Sequence, residues 1–121
     1  MHIQVSKGKK KFVLTKTEII RRPIDFSLIF KTGQFLRGRY FNIVYVRANY
    51  RQVAFAASKR VRTTVERNHI KRMLREAYRL EKDKIHEHVQ LILVGKENIL
   101  CAHLNDLRAE MRKMATRIIG D

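Results

Sequence analysis

The chain has 121 residues, enough for one domain that buries roughly two-thirds of its unfolded surface without metals or disulfides. Its 27 Lys and Arg against 11 Asp and Glu give +16 and a pI near 10.7, which sets it among binders of polyanions or anionic surfaces. The apolar run Leu91 to Val94 is far short of a membrane span, Met1 to Lys11 has no signal-peptide core, and the single cysteine, Cys101, has no internal partner; no membrane association and a cytoplasmic, reducing setting are therefore expected.

Met1 to Lys11 is basic and patternless, which predicts a flexible N-terminal arm at 1–11 before one folded domain at 12–121. Phe12 to Ile20 alternates loosely as a short edge strand. Pro23 to Lys31 reads as a short helix, with Pro in its first turn, Asp25 near its N-terminus, Gly33 past its end, and Phe26, Ile29 and Phe30 on one side. Tyr40 to Arg47 alternates Phe41, Ile43 and Tyr45 against Asn42, Val44 and Val46, a strand signal. Asn49 and Tyr50 then mark a hairpin turn into Gln52 to Ser58. This partner strand carries Val53 and Phe55 on one side and small Ala54 and Ala56 on the other, a surface either closely covered or left as a shallow trough.

After a basic turn at Lys59 to Arg62, Thr63 or Thr64 is placed to cap a helix running to about Lys82, with Glu66 in its first turn. Val89 to Val94 reads as a strand covered on both faces and ended by Gly95. A last helix, about His103 to Ile119, puts Leu104, Leu107, Met111, Met114, Ala115 and Ile118 in one stripe, with Arg108, Arg112, Lys113 and Arg117 facing away. The order βαββαβα implies an α+β, two-layer sandwich: a mixed four-stranded sheet with three helices.

The helix from Glu66 to Arg79 sorts its residues most sharply. At about 100° per residue, Arg67, Asn68, Lys71, Arg72, Arg75 and Arg79 fall within an arc of roughly 140°, with Tyr78 on its border and no carboxylate inside. Ile70, Met73, Leu74 and Ala77 fill the opposite side. Like charges four residues apart repel, so this ridge is unfavourable unless a polyanion neutralises it. Lys59, Arg60 and Arg62 extend the patch into the preceding turn, and guanidinium forks suit phosphate oxygens. Phe26, Phe30, Tyr40, Phe41 and Tyr45 are candidates for stacking on single-stranded bases, although aromatics at such spacing more often belong to a core.

Other chemistry finds little support. His86-Glu87-His88 brings two imidazoles near each other without further ligands, so solvated loop histidines are expected and no protein-held metal. No Ser, His and acid set is recognisable, no glycines cluster into a phosphate loop, and no catalytic residue is assigned.

Ala57-Ser58-Lys59-Arg60 and the run Glu66-Arg67-Asn68-His69-Ile70-Lys71-Arg72-Met73-Leu74-Arg75-Glu76-Ala77-Tyr78-Arg79 resemble the signature of the bacterial ribonuclease P protein component, an Arg-Asn-Arg helix followed by Ile-Lys-Arg. His69, mostly neutral at pH 7, stands at the third position of the triplet. The short helix with Asp25-Phe26 and Ile29-Phe30-Lys31 before Gly33 resembles the family's first helix, so the likeness spans about Phe12 to Ile118. The resemblance implies a small basic subunit that assists a catalytic RNA in removing the 5′ leader from precursor tRNA, with magnesium held mainly by the RNA and none by the protein alone. It implies that Arg67, Asn68, Lys71, Arg72, Arg75 and Arg79 face the catalytic RNA, and that a central cleft with Phe26, Phe30, Tyr45 and Lys59 receives the leader. It also implies a left-handed strand-helix-strand crossover, against the usual right-handed rule. A non-enzymatic RNA-binding protein, such as a ribosome-associated factor, is the competing reading; a protein-only nuclease is disfavoured by the lack of clustered carboxylates.

Overall fold

The computed structural model describes residues 16–118; the arm expected at 1–11 lies outside the described residues. Helix α1, Pro23–Thr32, starts on a proline at its first position, where a missing N–H leaves no bond unmade. It ends where Gly33 N–H donates to Ile29 O at 2.7 Å. Strands β1 (Gln34–Leu36), β2 (Phe41–Arg47) and β3 (Gln52–Ala57) follow, then α2 (Thr64–Glu81), β4 (Val89–Gly95) and α3 (Leu104–Ala115). Single 3₁₀ turns occupy Lys16–Glu18, Lys82–Lys84 and Glu97–Cys101.

The strands form one mixed sheet in the order β1-β2-β4-β3, in which β4 runs antiparallel to β2 and parallel to β3. The hairpin expected between β2 and β3 is not made, because β4 lies between them. Leu91 and Leu93 on one face of β4 and Ile92 on the other are all fully buried. A strand apolar on both faces gains most from a central place, and that burial outweighs pairing by a short turn. The β3-α2-β4 connection therefore becomes a parallel crossover, consistent with the left-handed one the resemblance implies. The expected first strand is present as a single parallel bridge from Ile19 to Val53, where Ile20 N–H donates to Val53 O at 2.9 Å. The expected order of elements thus holds, with β1 added as a three-residue antiparallel edge beside β2.

Strand alternation divides the core between the two faces. Phe41, Ile43, Tyr45, Val53, Leu91 and Leu93 meet Ile70, Leu74, Ala77 and Tyr78 of α2 and Leu107, Met111 and Met114 of α3. Each such fully buried side chain contributes about 2 kcal/mol. Gly95 lets α2 approach β4 closely, since a Cβ there would collide with Ile70. On the other face Val44, Ala54 and Ile92 pack against Ile20 and Ile29, with Phe26 at the edge. Helix α1 covers that face in part, which leaves the end of the sheet carrying Asn42, Ala56 and Val94 less covered.

Two ionic clusters fasten the helical layer. Glu81, 1% exposed, accepts from Arg108 Nε at 2.7 Å and Arg112 Nη1 at 2.9 Å, so it joins the end of α2 to α3. Arg108 and Arg112 therefore do not simply face away from the core. Lys82 Nζ donates to Glu18 at 2.7 Å, while Arg51 reaches the carbonyls of Lys82 and Ile85 at 3.1 and 3.0 Å.

Candidate RNA interface

Helix α2 opens on Thr63, whose Oγ1 accepts the Glu66 N–H at 3.2 Å and satisfies one of the free amides of the first turn. Downstream of this cap, Asn68, Lys71, Arg72 and Arg75 are exposed. Among the described residues no carboxylate lies within ion-pair distance of Lys71, Arg72 or Arg75. Arg75 rests its guanidinium 5.6 Å from the centre of the Phe55 ring, which orients the head without neutralising it.

Two members of the expected ridge are engaged by the protein itself. Arg67 is half-buried and turns inward: Nη1 donates to Ser58 O at 3.0 Å and Val61 O at 2.9 Å, and Nη2 to Ala57 O at 3.3 Å. Arg79 is paired with Glu76 on the same helix. That hydrogen bond holds the Glu76 carboxyl below its ordinary range and raises the guanidinium above its own. Tyr78, placed by periodicity on the border of the arc, is core: its ring meets Phe55 edge-on at 5.8 Å and its hydroxyl donates to Glu18 at 3.4 Å. Burial pushes that phenol well above its usual range.

The turn from Lys59 to Arg62 joins this helix to the other side of the sheet. Lys59, Arg60 and Arg62 are exposed, and Arg67 fixes the backbone on either side of Lys59 and Arg60 through its contacts with the Ala57, Ser58 and Val61 carbonyls. Arg60 then reaches a hollow of about 700 Å³ over the less covered end of the sheet, lined also by Asn42, Ser58, Val94, Lys96, Asn98 and one acid, Glu97, which borders Lys59 and Arg62 as well. The two alternatives left open by the small alanines both occur. Ala54 is closed over by the α1 cluster, whereas Ala56 sits half-buried toward the hollow.

The aromatic candidates separate. Phe26 is half-buried at the edge of the α1 cluster and Phe30 is 51% exposed one turn on. Tyr45 does not join them: it is 3% exposed on the opposite face of the sheet, with its hydroxyl donating to Gln34 Oε1 at 3.0 Å. Strand parity explains this, since Phe41, Ile43 and Tyr45 share the face that packs on α2 and α3. Lys96 and Asn98 line the hollow without having been singled out from sequence; the polar triplet Lys96-Glu97-Asn98 directly after Gly95 was the available signal.

At the far end of the sheet His86 Nδ1 accepts the His88 N–H at 3.1 Å, and His88 Nδ1 lies 2.9 Å from Asn49 O. Among the described residues no three His, Cys, Asp or Glu side chains converge on a possible metal position. Nor is any helix there long and apolar enough to cross a membrane.

A mixed sheet with a cation-rich helix on one layer and a polar hollow on the other defines a class of RNA-binding α+β protein. The family model described as Ribonuclease P matches residues 14–119. Relatives named ribonuclease P protein component include one from Desulforapulum autotrophicum, 28% identical over 86% of this chain and 91% of its own length. Another, from Dictyoglomus thermophilum, is 33% identical over 73% of this chain and 77% of its own length. The solved RNase P protein of Thermotoga maritima superposes with a TM-score of 0.75 at 25% identity, over 85% of this chain and 99% of that one. The chain belongs to the ribonuclease P protein family, and is thereby an RNA-binding subunit of tRNA processing.

Proposed function

We propose that this chain assists a catalytic RNA in the endonucleolytic removal of the 5′ leader from precursor tRNA, and that the reaction centre lies in the RNA. The observation that carries this reading is the row Lys71, Arg72 and Arg75, exposed and without acidic partners among the described residues, running through Lys59, Arg60 and Arg62 to the hollow on the opposite face. A free cationic ridge is stable beside fixed phosphates and unfavourable beside water alone. Asn68, Lys71, Arg72 and Arg75 contact the catalytic RNA, and Lys59, Arg60 and Arg62 carry that contact round the turn. Arg67 serves by holding the turn in place, and Arg79 meets RNA only as a partner of Glu76. The leader enters the hollow, with Phe26 and Phe30 on the α1 side available for stacking. Tyr45 takes no part.

Magnesium, on the family resemblance, is held mainly by the RNA and not by the protein alone. Its work belongs in the cytoplasm, where precursor tRNA is made.

The test is reconstitution at low magnesium with ribonuclease P RNA and precursor tRNA. Added protein is expected to restore 5′ maturation and to favour leader-bearing substrate over mature tRNA. Absence of rescue refutes the reading in favour of an RNA-binding protein acting elsewhere, and cleavage without the RNA refutes the assignment of the chemistry to it.

A further inference from the structure

The loop between β1 and β2 and the C-terminal half of α3 enclose a second basic hollow, of about 560 Å³, away from both α2 and the leader side of the sheet. Arg37 and Arg39 project from the loop, Lys113 and Arg117 from α3 and the turn that ends it, and all four are exposed. Two acids border the same hollow, and backbone amides already occupy both. Asp106 accepts the His103 N–H at 3.0 Å, and the two Glu110 oxygens accept the Tyr40 N–H at 3.0 and 3.1 Å. Helix α3 thus sorts its cations. Arg108 and Arg112, toward the end of α2, are mated to Glu81, whereas Lys113 and Arg117 have no acidic partner within ion-pair distance among the described residues.

The loop is also held in shape. Lys96 Nζ donates to Gly38 O at 2.5 Å, Asn98 to Arg39 O at 3.0 Å, and Gly38 N–H to Asn42 Oδ1 at 3.1 Å. A Cβ at Gly38 would collide with Glu110, so the glycine lets the loop lie directly on α3. Arg39 stacks 5.4 Å from the centre of the Tyr40 ring. Lys96 and Asn98 thus tie the loop to the rim of the first hollow, which Glu97 also lines.

We propose that Arg37, Arg39, Lys113 and Arg117 form a second contact for the phosphodiester backbone of the catalytic RNA. The proposal rests on the ribonuclease P reading and extends it. Charge complementarity selects a polyanion. The position of α3 in the same layer as α2, with the leader side across the sheet, selects the catalytic RNA over the substrate.

The experiment titrates the full-length protein, the pair Lys113→Ala with Arg117→Ala, and the pair Arg37→Gln with Arg39→Gln against ribonuclease P RNA at several salt concentrations. Substrate affinity of each assembled ribonucleoprotein is measured in parallel, and circular dichroism checks folding. Each pair is expected to lower the magnitude of the slope of log K against log salt by about 1.5, with substrate affinity of the saturated complex unchanged. An unchanged slope overturns the proposal and leaves Lys113 and Arg117 serving only the C-terminal dipole of α3. A loss confined to the substrate step overturns it in favour of precursor tRNA. Lys71→Ala with Arg72→Ala is the control: if it too leaves RNA binding intact, the α2 reading itself fails. If it weakens binding while both new pairs do not, the extension alone fails.

Discussion

Arg67 and Arg72 share a helix and a charge, yet they do different work. Arg67 spends its guanidinium on three backbone carbonyls of the β3-α2 connection, whereas Arg72 is exposed with no acidic partner within reach among the described residues. Arg67→Ala is expected to lower unfolding stability by about 2 kcal/mol, because carbonyls bonded to a charged donor lose it. Arg67→Lys rescues little, since a point ammonium cannot span the fork. Arg72→Ala should leave the urea midpoint unchanged and reduce the salt slope of RNA binding by about 1. Equal midpoint losses for Arg67→Ala and Arg72→Ala would show that the inward contacts carry no stability. Periodicity placed both residues on one arc and could go no further, because a six-bond side chain reaches water or backbone from the same Cα direction. The same limit applies to Tyr45, whose face was legible in the alternation while the identity of the face toward α2 and α3 was not.

At the level of elements, the stripes on α2 and α3 and the caps at Thr63 and Gly33 were legible because they depend on neighbours three or four residues away. The Glu81 clamp was not, for its partners Arg108 and Arg112 are distant in the chain and meet it only after the two helices pack. The strand order escaped for a similar reason: pairing of β2 with β4 is decided by competition for the centre of the sheet. The clamp has a pH signature. Burial opposes ionisation of Glu81, but the hydrogen bond from Arg108 and the nearby charges of Lys84 and Arg112 outweigh it and hold the carboxyl below its ordinary range. A lowered folded pKa means that the stabilisation is complete above the unfolded value of about 4.3 and is lost as pH falls through the folded value. Glu81→Gln should therefore be about 2 kcal/mol less stable at neutral pH. Between pH 6 and pH 3 it should lose less further stability than the unmodified chain in urea titrations. Parallel pH curves for the two proteins would contradict the clamp.

For the molecule as a whole, the net charge of +16 acts in opposite directions on folding and on binding. The apolar faces of α2 and α3 draw the sheet and helices together, while the cations of α2, the β3-α2 turn and the far end of α3 are brought near one another as the chain compacts. Self-repulsion of this kind destabilises the folded state and is relieved when ions screen it within a Debye length, about 30 Å at 0.01 M and 8 Å at 0.15 M. The same ions compete with the protein for RNA phosphates and weaken association steeply. Raising sodium chloride from 0.01 to 0.15 M is thus expected to increase the thermal midpoint of the free protein while reducing its affinity for ribonuclease P RNA. Neutralising Lys71 and Arg72 together should diminish both responses. If the thermal midpoint instead fell with salt in this range, favourable pairs such as those of Glu81 and Glu18 would outweigh the repulsion of the exposed ridge. The unfavourable ridge, from which an RNA partner is argued, would then have no energetic basis.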